Sequence, residues 1–186
     1  MKFTTRRLTV LALLCAISVA LVYFIRFPFF PAASHLEYDP ADIPILIGTF
    51  ITGPVGGLLL TVAASAVQAM TVSAKAGWIG FCMHVFATGT YVIVAGNIYR
   101  KNKSKNGAVI SVIFGTLAMT VVMIPLNLIF TPMYGVPIDI VKESIVPFII
   151  PFNLLKASIN GVITLLLYRV VEKAAFNEPA PPSVKG

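Results

Sequence analysis

Five stretches of this chain are long and apolar enough to cross a lipid bilayer, and this limits the fold more than any other feature. A spanning helix needs about 20 mostly apolar residues, and inside lipid only a helix or a closed barrel satisfies every backbone polar group. Arg7–Phe27, Gly53–Val72, Ile79–Tyr99, Ala108–Phe130 and Ser144–Tyr168 meet that requirement. Ile43–Thr52 is equally apolar but short, and Gly53-Pro54 divides it from the next stretch. Composition agrees: 11% of residues are charged and mean hydropathy is +0.90, whereas a soluble domain carries about 25% charged residues.

Loop charge decides between five spans and six, because cytoplasmic loops collect Lys and Arg. Six spans with the N-terminus inside put Lys2, Arg6, Arg7, Arg100, Lys101, Lys103, Lys105, Arg169, Lys173 and Lys185 in the cytoplasm. Only Arg26, Lys75 and Lys142 then face outward. Five spans would place the Arg100–Lys105 cluster outside. The expected fold is therefore an all-α integral membrane protein with six transmembrane helices and both termini cytoplasmic. The short second span is expected to be tilted or shielded by its neighbours. Residues 1–172 read as one membrane domain, and 173–186, with Pro179, Pro181 and Pro182, as a disordered tail. The basic start and apolar core of the N-terminus resemble a signal peptide, but the core is too long and no small-residue cleavage site follows.

The acidic residues Glu37, Asp39, Asp42, Asp139 and Glu143 all fall in outer loops on this topology. The net charge of +7 then reflects topology. The RKNKSK run has no interleaved aromatics, which argues against nucleic acid and leaves membrane lipid as the plain contact. Cys15 and Cys82 lie within spans and read as packing residues. No ATP-binding phosphate loop, H-E-x-x-H or G-x-S-x-G is present, and His35 and His84 form no metal-ligand pattern. With no Asp or Glu expected near mid-membrane, an ion relay lacks its usual groups. No catalytic residue, metal or cofactor is expected, and an intramembrane enzyme is the weaker alternative. The chain reads as a binding device whose work is supplied by a partner.

Lys156 stands near the middle of the last span, where a cation costs roughly 2.5–3.5 kcal/mol on insertion scales. Asn153 and Asn160 lie one turn before and after it, within roughly 60° of one helix face. Asn127 follows Pro125 in the fifth span and is a candidate pocket wall, although such an amide also serves as interhelical glue. Ser65, Gln68 and His84 are weaker pocket candidates. Trp78 and Tyr99 read as interface anchors. The loop FPFFPAASHLEYDPADIP is long and proline-stiffened, and pattern alone fits either a lid or an interfacial loop. Ala12, Ala16 and Ala20 form a small-residue stripe, for packing within this chain or for docking a partner.

Four segments together resemble the substrate-binding S components of energy-coupling-factor (ECF) transporters, within them the riboflavin-specific RibU family. L-E-Y-D-P-A-D-I-P (Leu36–Pro44) is similar to that group's L-x-x-D-x-S-D-[IV]-P, with Ala41 in place of the usual Ser. F-I-T-G-P-V-G-G (Phe50–Gly57) is similar to its F-x-x-G-P-[VI]-A-G, Asn127 matches a recurrent span-five asparagine, and I-P-F-N-L-L-K (Ile150–Lys156) its I-P-F-N-x-x-K. The resemblance implies a six-helix prokaryotic cell-membrane protein that binds riboflavin near the outer face. It implies partnership with a transmembrane coupling subunit and two cytoplasmic ATPase subunits. By the same resemblance Asn127, Asn153 and Lys156 hydrogen-bond the vitamin, Leu36 and Glu37 lie beside it, and Ala12 and Ala16 match a docking motif. His84 stands where relatives often carry Asn. The alternative ligands are another vitamin, such as thiamine or a folate, or flavin mononucleotide.

Overall fold

The computed structural model describes residues 4–30, 33 and 36–176, and these are almost entirely helical. The principal helices are α1 (Thr5–Phe24), α2 (Asp42–Thr52), α3 (Pro54–Met70), α4 (Gly77–Lys101), α5 (Lys105–Phe130) and α7 (Ile150–Phe176). A short α6 (Ile138–Ser144) and a π-helical segment (Ile145–Ile149) lead into α7. Thr5–Phe24, Gly77–Lys101, Lys105–Tyr134 and Ile138–Phe176 are long and apolar enough to cross a membrane, whereas α2 and α3 are shorter apolar helices. Between α1 and α2, Phe27–Pro28 (β1) pairs antiparallel with Glu37–Tyr38 (β2), so the connecting loop closes on itself as a small ribbon.

Local chemistry explains the boundaries. Gly53 has φ 87°, a left-handed value that ends α2 and lets Pro54 open α3 as a separate helix. Ile43–Val72 is therefore two helices and not one kinked span. Ser104 caps α5 by accepting from the Gly107 amide at 3.0 Å. The last span differs from the single stretch expected at Ser144–Tyr168. Pro147 and Pro151 each remove a backbone donor, and the chain takes a wider π turn there before α7 begins. α7 continues to Phe176, so Lys173–Phe176 belong to the helix, where Arg6 Nε donates to the Ala175 carbonyl at 2.8 Å. The remainder of the expected tail, 177–186, and His35 lie outside the described residues.

α2 is the centre of the bundle. Every residue from Asp42 to Phe50 is buried, enclosed by α1, α3, α4 and α7. A helix this short is shielded from lipid by its neighbours, as its length demands. Lipid is as apolar as leucine, so close van der Waals packing replaces water exclusion as the force between helices. Tyr91, fully buried on α4, occupies the space left by two glycines, Gly115 on α5 and Gly161 on α7. Tyr99 is buried too, stacked on Phe50 with ring centroids 4.4 Å apart, and is no interface anchor; Trp78 is 63% exposed.

A Cβ at Gly161 would lie 2.7 Å from the Tyr91 hydroxyl and closer still to Val112. Gly161→Val is expected to cost about 1–3 kcal/mol through overpacking. Thermal denaturation in detergent should show a lowered midpoint, while Val162→Ala, on an exposed face, should leave it nearly unchanged.

Candidate functional site

The loop preceding α2 is fastened to α7 by a buried polar clasp. Lys156 Nζ donates to Asp39 Oδ2 at 2.7 Å. Asp39 also shapes its own loop: its Oδ1 accepts from the Ala41 amide at 3.1 Å, an Asx turn in which Pro40 fixes φ. One helical turn beyond Lys156, Asn160 Nδ2 donates to the Asp39 carbonyl at 3.2 Å and to Asp42 Oδ2 at 3.3 Å. Tyr38 donates its hydroxyl to Asn160 Oδ1 at 2.9 Å. Burial pushes the Tyr38 phenol up, with the nearby Lys156 charge acting against it, so the hydroxyl stays a donor.

Asp39 lies in the loop between β2 and α2 and Asp42 opens α2; this loop folds against the bundle, and Asp42 is completely buried. The physical reason is Lys156: a buried cation is tolerated when a carboxylate neutralises it. Asp42 has further partners, accepting from Thr88 Oγ1 at 2.7 Å, while His84 Nε2 lies 3.4 Å away. That imidazole is near enough for electrostatic attraction but poorly aligned for a hydrogen bond. Its Nδ1 meets Ser65 Oγ at 2.7 Å, and Gln68 donates to Ser18, which donates to the Ala41 carbonyl at 3.0 Å. The loop is thereby tied to α1, α3, α4 and α7.

Beside this clasp lies a cavity of about 420 Å³, within the range of small-molecule sites. Leu36 and Glu37 line it from the loop, Asn127 from the end of α5, Thr131 from the 3₁₀ turn that follows, and Phe152 from the start of α7. Met83, Met123, Tyr134 and Val136 complete mostly apolar walls. Among the described residues no Lys, Arg or His lines it. Asn127 Nδ2 donates to the Met123 carbonyl at 2.8 Å, and its Oδ1 accepts from Thr131 at 3.0 Å. An amide has two donors and two acceptor positions, so one of each remains. α5 stays helical through Pro125. Glu37 is paired with Arg26, which also donates to the Val72 carbonyl and Ser73 Oγ.

The sequence-predicted residues divide among neighbouring places. Leu36, Glu37 and Asn127 line the cavity. Asn153 is buried next to Phe152, its amide donating to the Ile149 carbonyl at 2.8 Å. Lys156 is engaged by Asp39 and does not line the 420 Å³ cavity. His84 lines a smaller pocket of about 130 Å³ with Arg26, Asp39 and Gln68. Tyr38, Asp39, Asp42, Thr88, Thr131 and Phe152 were not singled out. The acidic pair was findable, since an intramembrane cation needs a counter-charge and Leu36–Pro44 holds two carboxylates flanking a proline turn. Ala12, Ala16 and Ala20 are all exposed, along a surface groove shared with Val67 of α3 and Val72 just beyond it, so the stripe is not internal packing.

An apolar helical bundle with a mostly apolar cavity beside a clasped loop fits the class of multi-pass membrane proteins that hold a small molecule. The model of the family "ECF transporter, substrate-specific component" matches residues 6–168, and the chain belongs to that family. The family is a transporter component and not an enzyme. The chain is 32% identical over 176 residues to the riboflavin transporter RibU of Streptococcus thermophilus, covering 88% of this chain and 82% of that protein. Identity to RibU of Staphylococcus aureus is 29% over 171 residues, with 88% and 89% covered. Identity to the riboflavin transporter FmnP of Bacillus subtilis is 26% over 172 residues, with 88% and 90% covered. A solved chain described as the S component of a bacterial ECF transporter superposes with a TM-score of 0.75 at 30% identity, covering 90% of this chain and 96% of that one.

Asp42→Asn removes a buried charge that three side chains surround. We expect a loss of about 1–3 kcal/mol, read as a lower melting temperature in detergent. Asp139→Asn, which breaks only the exposed pair with Lys142, should shift stability by less than about 0.5 kcal/mol.

Proposed function

We propose that this chain is the riboflavin-binding S subunit of an ECF transporter, capturing the vitamin outside and passing it inward through ATP-driven partners. The observation that carries the reading is the chemistry of the 420 Å³ cavity. Riboflavin is uncharged and planar, with carbonyls and ring nitrogens along one edge. Leu36, Met83, Met123 and Phe152 suit the flat ring system, and the free donor and acceptor of Asn127 suit the polar edge. A phosphate-bearing flavin would meet Glu37 and no cation from the described lining, so riboflavin is the preferred ligand over its phosphate. The names of the curated relatives support the same ligand.

In this reading Leu36, Glu37 and Asn127 touch the vitamin. Asn153 and Lys156 act behind them: Lys156 holds the loop through Asp39, and Asn153 fixes the segment that presents Phe152. His84 works through Asp42 and not by direct contact. The six principal helices cross the cell membrane with both termini cytoplasmic, α2 and α3 crossing within the shield of their neighbours. The exposed stripe of Ala12, Ala16 and Ala20 is the face offered to the transmembrane coupling subunit, which works with two cytoplasmic ATPases. Small residues let another helix approach closely there.

Titration of riboflavin against the detergent-purified protein tests the reading. The flavin fluorescence should be quenched with a stoichiometry of one, and flavin mononucleotide should bind at least about tenfold more weakly. A protein that leaves riboflavin fluorescence unchanged, or that prefers thiamine, would remove the assignment.

A further inference from the structure

At the end of the bundle opposite the clasp, three cations from two separate parts of the chain converge. Arg7, Arg100 and Lys103 line one notch of about 140 Å³ above the turn between α2 and α3. Phe50 and Tyr99 also line it, and their stacked rings make a rigid floor. Among the described residues no Asp or Glu, Glu172 on α7 included, contributes to its lining. Among the described residues none of the three cations forms an ion pair. Like charges gathered at one concavity repel one another, and an anion seated between them relieves that cost.

We infer that this notch binds the phosphate of an anionic phospholipid. Two observations favour a lipid over a soluble anion or an acidic protein segment. The cations stand where apolar helices end: Arg7 in the first turns of α1, Arg100 in the last turn of α4 and Lys103 just beyond it. That is the depth of lipid headgroups. Exposed apolar side chains also neighbour its lining residues in the chain: Leu8, next to Arg7, is 51% exposed, and Val55, two residues after Gly53, is 52% exposed. Acyl chains can run along these side chains while the phosphate sits in the notch, whereas a free phosphate makes no use of them. The arginines offer planar paired donors and Lys103 a point charge, a set suited to phosphate oxygens.

The inference needs a membrane-embedded chain but not the riboflavin reading. Native mass spectrometry of the full chain in detergent doped with phosphatidylglycerol or phosphatidylcholine tests it. The wild type should retain one phosphatidylglycerol in preference to phosphatidylcholine. The double variant Arg100→Gln, Lys103→Gln should bind it roughly 30-fold more weakly, since each cation near an anionic headgroup contributes about fivefold. Lys75→Gln, a cation outside the notch, should behave as wild type. Equal retention by wild type and double variant overturns the site. Displacement of the lipid by millimolar inorganic phosphate, or indifference to lipid with capture of an acidic peptide, overturns the lipid assignment. Riboflavin quenching and thermal melts on the same samples separate this outcome from misfolding and from failure of the ligand reading.

Discussion

The structure depends on neutralising one buried charge. Lys156 sits in the last apolar helix, 8% exposed, where an unpaired ammonium would be costly. A snorkelling lysine would reach for water, but this one bonds to Asp39, a residue of the loop more than a hundred positions earlier. Charge neutralisation therefore does what water exclusion does in a soluble fold: it draws a polar segment against the bundle. Asp42 and Asn160 extend the contact by one turn, so two levels of α7 grip Tyr38, Asp39 and Asp42, from the end of β2 to the start of α2.

Much of the remaining architecture follows from where that grip places the chain. Once Asp42 is buried, α2 must begin inside the bundle, and its eleven residues can be enclosed on all sides. The same grip presents Leu36 and Glu37 to the cavity and lets Phe29 pack edge-on against Phe152 at 6.0 Å between ring centroids. A smaller apolar cluster of Leu36, Val141, Ile149 and Phe152 then joins the loop to the π segment. The π turn serves this arrangement, since it sets the direction in which Phe152 and Asn153 leave the proline-interrupted entry to α7. Polar clasp and apolar cavity are adjacent products of one loop placement.

The sequence exposed the parts governed by local rules. Apolar length announced the helices, Gly53-Pro54 announced the break between α2 and α3, and helical spacing placed Asn153, Lys156 and Asn160 on one face that the structure buries. Long-range pairing was only partly visible. Lys156 called for a counter-charge that Leu36–Pro44 could supply, but the sequence does not say which of its carboxylates turn inward. Tyr99 lies at the end of an apolar stretch, as an interface anchor would, and only the approach of Phe50 and Tyr168 shows that it is enclosed. The alanine stripe was ambiguous for the complementary reason, because a helix with apolar residues on every side does not reveal which face its neighbours leave open.

The account rests on Lys156 and Asp39 acting as a pair, and a double-mutant cycle measures that directly. Lys156→Ala, Asp39→Ala and the combined variant can be compared with wild type by reversible unfolding in detergent. Each single change should be markedly destabilising, because it strands the opposite charge in a low-dielectric site. The combined variant should be more stable than the sum of the single losses predicts, with a coupling of about 1–3 kcal/mol. Losses that add to within about 0.5 kcal/mol would mean that the two charges do not act together, and the clasp would no longer explain where the loop lies.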